Sequence, residues 1–174
     1  MRCTSLFLVL MFSLGTLQAQ NFEPMDKSPL DVSYFPSNNG IADKIVRITY
    51  SRPFLKGRKV SSLAKPGKVW RTGANESVEI VFYKDVIFAG SPVKKGVYSL
   101  FTISGDTQWT IILNSSLNLW GSYGYNQEND VVRVNGNVQT TNYLENLSIV
   151  FDAEMTLCLA WGTTLVKVPI RLDE

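Results

Sequence analysis

The densest run of chemically capable side chains in this 174-residue chain is Lys68-Val69-Trp70-Arg71-Thr72-Gly73-Ala74-Asn75-Glu76. Two apolar residues lead into a guanidinium, a glycine permits a sharp turn, and a carboxamide and a carboxylate follow. Trp70 offers a stacking face, Arg71 a planar fork of donors, and Asn75 and Glu76 opposite hydrogen-bonding characters. That mixture suits a sugar, or another polyhydroxylated or carboxylate-bearing ligand. It equally suits a structural turn in which Arg71 pairs with Glu76 and Trp70 fills the core.

A second candidate is Asn114 to Asp130, the longest unpatterned stretch outside the N-terminus. It carries Asn118, Trp120, Tyr123 and Tyr125 around Gly121 and Gly124, followed by Asn126, Gln127, Glu128, Asn129 and Asp130. Long loops inside compact domains are often functional, and rings beside glycines can present a platform for the CH face of a sugar. The competing expectation is that Trp120 and Tyr123 plug the open end of a β-sandwich. Glu128 and Asp130 lack the Asp/Asn/Gly spacing of a calcium loop, so no metal site is assigned. A third candidate is Tyr50-Ser51-Arg52-Pro53 with Lys56-Gly57-Arg58-Lys59 just beyond. Arg52 at a strand end is a further candidate ligand contact. The basic cluster is either an anion patch or a solvated loop.

Histidine is absent from the chain. Ser-His-Asp and Cys-His arrangements, imidazole metal sites and imidazole acid–base work therefore have no residue to carry them. No glycine-rich phosphate loop opens a helix, and no cofactor is implied. Hydrolytic chemistry is left with carboxylates, as a glycosidase-like pair would use.

The N-terminus reads as a signal peptide over residues 1–19. Arg2 is a minimal positive start, Ser5 to Leu14 is an apolar run too short to span a bilayer, and Ala19 supplies the small residue for cleavage. Cys3 precedes the apolar run and is not a lipidation site. Cleavage there removes Arg2 and no acidic residue, so 17 basic residues become 16 against 15 acidic ones, a net charge of about +1. Nothing in that balance draws nucleic acid or an anionic membrane. Cys158 is then the one cysteine left, within the apolar run Met155 to Trp161, and is expected as a buried core thiol rather than a reactive one.

The elements that must position these residues are strands. Short β-branched and aromatic runs punctuated by Gly, Pro, Asn or Asp recur at residues 44–51, 77–83, 85–89, 97–103, 107–113, 131–138, 147–152, 155–161 and 165–172. Ser104-Gly105-Asp106 reads as a hairpin turn, residues 60–64 as one turn of helix, and Pro169 as the mark of an edge strand. Residues 20–43 read as an extended N-terminal arm. The expectation is one all-β domain over residues 44–174, a β-sandwich or jelly roll of about nine to ten mostly antiparallel strands.

The runs Tyr50-Ser51-Arg52-Pro53, Gly57-Arg58, Gly67 through Glu76, Gly96-Val97-Tyr98-Ser99-Leu100-Phe101-Thr102-Ile103 and Trp120-Gly121-Ser122-Tyr123 resemble an uncharacterised family of exported bacterial proteins, frequent in Bacteroidetes, known as a domain of unknown function. The likeness runs from about residue 27 to residue 171, and the WRTGANE run is its most specific part. It implies an envelope or secreted location and a β-rich fold, and it supplies no catalytic residues. The reading taken forward is an exported binding module for a glycan or cell-envelope component. Arg71, Asn75, Glu76 and Arg52 supply polar contacts, and Trp120 and Tyr123 stack. The alternatives are a carboxylate-dependent hydrolase built on Glu76 with Glu79, Asp130 or Asp85, and a ligand-free structural or assembly protein of the envelope. Alternation along residues 77–83 argues against Glu79, since it places that side chain on the other face.

Overall fold

The computed structural model describes residue 22 and residues 24–174. The leader expected over residues 1–19 lies outside the described residues. The fold is nearly all β, in mostly antiparallel sheets, and consistent with an all-β sandwich made by a curled sheet. The strands are β1 Leu30–Phe35, β2 Val46–Ser51, β3 Val69–Trp70, β4 Val78–Phe82, β5 Val86–Phe88, β6 Ser91–Val93, β7 Gly96–Ile103, β8 Gln108–Asn114, β9 Asp130–Phe151, β10 Leu157–Val168 and β11 Ile170–Leu172, with a turn of α-helix, α1, at Val60–Leu63 and a 3-10 turn at Gln127–Asn129.

The large sheet runs β1-β2-β4-β7-β8-β9-β10, with β3 also pairing β7; β11-β5-β6 form a small one. Alternation orients the central strands. Val46, Ile48 and Tyr50 of β2 and Val78, Ile80 and Phe82 of β4 point into the core, while Arg47, Thr49 and Glu79 lie on the outer face. Pro169 separates β10 from β11, and β11 is an edge strand of the small sheet, where a missing donor costs no ladder bond.

Two features depart from the sequence expectation. Within the expected arm, β1 adds a strand to the sheet edge, with Leu30 opposite Ser51 and Phe35 opposite Val46. Its pattern is inverted: Leu30 and Val32 are exposed while Asp31 turns toward Tyr50 and Arg52, so apolar periodicity did not mark it. Residues 131–138 and 147–151, expected as separate strands, belong to one 22-residue strand, β9, because residues 139–146 contain neither Gly nor Pro to break it. β9 pairs β8 as far as Asn137 and β10 from Val138 onward.

A strand of that length would extend about 70 Å if straight, and it bends instead. Between Ser148 and Leu144, and again between Leu144 and Thr140, four steps on β9 oppose two on β10. Both irregularities meet at Gly162, whose φ of +58° favours glycine and whose Cα faces Val60, with a Cβ there falling 3.2 Å from Val60 Cγ2. The bend brings β9 and β10 back over β2. Tyr50 Oη accepts from the Ile149 amide at 2.9 Å, Phe54 bridges Asn146, and Trp70 stacks on Trp161 at 5.4 Å between centroids. The curled large sheet and the small sheet thereby enclose the core, which contains Trp161, Phe82, Phe88 and Ile80 fully buried.

Candidate functional site

The WRTGANE run is an excursion from the sheet. Trp70 of β3 pairs Thr102 of β7, and Val78 of β4 pairs Leu100 of the same strand. On β7 a single residue, Phe101, separates those partners. On the other side residues 71–77 loop out, and the Val78 amide donates to the Arg71 carbonyl to close the base. The tight path has local causes. Thr72 is buried at φ +60°, held by its hydroxyl to Thr102 Oγ1 at 3.1 Å, and Asn75 is at φ +61°. Gly73 packs so closely that a Cβ would lie 3.2 Å from the Ser51 carbonyl oxygen. Left-handed non-glycine residues are costly and are found where the surroundings over-determine them, as at ligand clamps.

The second candidate segment docks on the first. Glu76 and Trp120 form an isolated antiparallel bridge, flanked by bonds from Ser77 N to Leu119 O and from Gly121 N to Asn75 O. The base of the aromatic loop is clasped by Asp130, which accepts from Asn114 Nδ2 at 2.8 Å and from Tyr125 Oη at 2.7 Å, with Arg133 at 3.4 Å. Burial, and then the bond to Asp130, push the Tyr125 phenol up to about 12. Tyr125 lies edge-on to Phe101, 5.2 Å between centroids, on the outer face of β7. Of the aromatic residues in this loop, then, Tyr125 covers the sheet. Trp120 is 63 % exposed and Tyr123 90 % exposed, so neither plugs the sandwich.

These elements frame two adjoining depressions. The larger, about 420 Å³, is lined by Trp120, Asn75, Glu76, Ser77 and Glu79, by Thr49 to Ser51 of β2, and by Asp26, Ser28 and Leu30. Asn75 Nδ2 donates to Asp26 Oδ2 at 2.8 Å, tying the N-terminal segment along its edge. The smaller, about 250 Å³, holds Arg71 with Trp70, Trp161, Gly73, Ala74 and Arg58. Ser28 lines both.

The sequence candidates therefore divide. Asn75, Glu76 and Trp120 come together. Tyr123 stands beside them, its ring 3.4 Å from where a Gly121 Cβ would sit. Arg71 lines the neighbouring depression instead, and makes no ion pair with Glu76 among the described residues. Trp70 is buried at 8 % exposure, as the structural-turn expectation required. Arg52 is engaged within the fold, donating to the Leu147 carbonyl, Ser148 Oγ and Asp31 Oδ2, and so joins β2 to β9 and β1 rather than to the aromatic loop.

Among the carboxylates, Glu79 does line the Trp120 depression with Glu76. The alternation argument fails because β4 begins only at Val78, after the left-handed turn at Asn75, so strand parity does not extend back to Glu76. Glu79 is ion-paired with Arg47 at 2.9 Å. Asp130 serves the loop clasp, and Asp85 pairs Lys94 at 2.7 Å; neither lines this depression. What sequence reasoning missed is the contribution of the N-terminal segment: Asp26, Ser28 and Leu30 reach the site only because β1 adds to the sheet edge.

Residues 36–170, most of the chain, match the family described as protein of unknown function (DUF2911). No curated protein and no solved structure matches the chain.

Proposed function

The chain belongs to the DUF2911 family of proteins of unknown function, and from the geometry of its Trp120 depression we propose that it is an exported binding module for a polyhydroxylated ligand, a glycan or a cell-envelope component. The observation that carries this reading is Trp120, 63 % exposed at the rim of a depression furnished with hydroxyls, an amide and carboxylates. A sugar has an apolar CH face to lay on an indole ring and hydroxyls that both donate and accept. Thr49, Ser51 and Ser77 can reciprocate both roles, Asn75 donates or accepts, and Glu76 accepts. Export rests on the leader pattern of residues 1–19. Intact-mass analysis of protein secreted from a Gram-negative host should find an N-terminus at Gln20 or Asn21.

A glycan array probed with that secreted protein tests the binding reading. The expected result is a hit that Trp120→Ala and Glu76→Gln each weaken. Absence of any hit, or a hit indifferent to both substitutions, sinks it.

The shared placement of Glu76 and Glu79 favours a second reading, a carboxylate-dependent hydrolase acting on the same ligand. Turnover of the array hit, abolished by Glu76→Gln, would replace binding by catalysis. An intact hit after prolonged incubation rejects the enzyme.

A further inference from the structure

Arg47 and Arg71 each bury an Nε without a hydrogen-bond partner among the described residues, but Arg47 still pairs Glu79 through Nη2, which leaves Arg71 as the guanidinium to explain. Its Nε is buried with no hydrogen-bond partner, and no ion pair or side-chain hydrogen bond from its guanidinium exists among the described residues. The side chain is half-buried, and its Nη1 lies 3.5 Å from where a Gly121 Cβ would sit, so the guanidinium is tucked between the Arg71–Ser77 excursion and the aromatic loop. Buried donors in folded proteins are almost always paired, and an unpaired one calls for a specific reason.

The Nε itself is sealed from solvent, so any ligand must meet the rest of the guanidinium from the depression that Arg71 lines. It contains a second guanidinium, Arg58, whose Nε and Nη2 cap the Leu55 and Phe54 carbonyls, and no carboxylate lines it. Leu63 and Pro53 form its half-buried apolar wall, with the buried Trp161 and Trp70 pair behind them, and apolar surroundings raise the strength of an ion pair by excluding water. Two guanidinium-bearing side chains line a small, partly apolar space, and that of Arg71 has no carboxylate partner among the described residues.

We propose that this depression is an oxyanion site, in which Arg71 binds the carboxylate or phosphate of a small ring-bearing molecule while the ring packs on the Leu63 and Pro53 wall. A guanidinium matches either oxyanion with parallel N–H bonds. The volume of about 250 Å³ suits one acidic ring rather than a polymer. The site is separate from the Trp120 depression and does not rest on the polyol reading.

Calorimetric titration of the protein with glucuronate, glucose 6-phosphate and glucose tests it. Both acids should bind, glucose should not, and whichever acid binds more tightly identifies the oxyanion. Arg71→Gln should weaken the acids at least about tenfold, with Arg71→Lys intermediate, because an ammonium keeps the charge and loses the fork. Ala74→Phe fills the depression with the guanidinium in place, and should abolish binding even if the Arg71 variants fold poorly. Trp120→Ala should leave the acids unaffected, whatever it does to a glycan. Binding of neither acid, equal binding of glucose, retention of affinity in Ala74→Phe, or its loss in Trp120→Ala each overturns the proposal.

Discussion

Glu76 and Trp120 lie opposite one another in an isolated antiparallel bridge, clamped by Ser77 N to Leu119 O at 2.9 Å and Gly121 N to Asn75 O at 2.8 Å. The clamp uses backbone alone. The carboxylate of one residue and the indole of the other are therefore left to solvent, held rigidly at the edge of the same depression.

Trp120→Ala should separate binding from stability. The ring is mostly exposed and the bridge does not need it, so the melting temperature should move by less than about 2 °C. Affinity for a glycan hit should fall about thirtyfold, the effect of losing an aromatic anchor. A large drop in melting temperature with unchanged binding would make Trp120 a scaffold residue.

Arg52→Ala should do the reverse. Three guanidinium bonds join β2 to Leu147, Ser148 and Asp31. Charged hydrogen bonds of this kind contribute about 2 kcal/mol in mutational series. Urea denaturation should report a loss of that order, and a glycan hit should bind as before. Unchanged stability with weakened binding would return Arg52 to the site.

The aromatic loop should loosen at high pH. The Tyr125 phenol is pushed from its ordinary value of 10.0 up to about 12, first by burial and then by its bond to Asp130. A group whose folded pKa is raised contributes stability that is complete below the unfolded value and lost as pH climbs through the folded one. The contribution of Tyr125 is accordingly intact below about pH 10 and fades between about 10 and 12. Ultraviolet titration of wild type against Tyr125→Phe should isolate one phenol ionising near 12. An ordinary titration at that residue would contradict the clasp.

Cys158 should resist alkylation until the protein is unfolded. It is 8 % exposed, and burial pushes its thiol up, which depletes the reactive thiolate. Cys158→Ser should cost about 1 kcal/mol, at the low end for a buried hydroxyl, since the Thr156 carbonyl lies 3.6 Å from the sulfur and can accept. Rapid labelling of the native protein would refute the assignment.

The all-β class was legible in the sequence because alternation is a local property. Val46-Arg47-Ile48-Thr49-Tyr50 and Val78-Glu79-Ile80-Val81-Phe82 declare their buried faces without reference to any neighbour. The same holds for the α-helical turn at Val60–Leu63 and for the polar density of residues 71–76. β1 escaped because its inward residue is Asp31, whose partners Tyr50 and Arg52 are known only once the strands are paired. β3 and β6, at two and three residues, are too short to carry a period.

By itself, then, the sequence determined which residues could do chemistry and that strands would carry them. Where those residues meet was decided by the tertiary structure alone. Asn75, Glu76 and Trp120 share a depression because the residue 71–77 excursion and the aromatic loop leave the sheet beside each other, while Arg71, only four residues before Asn75, falls into the next one. The reason is geometric. Two left-handed residues, Thr72 and Asn75, reverse the chain within that short run, so proximity in sequence no longer predicts which side of the loop a side chain will face.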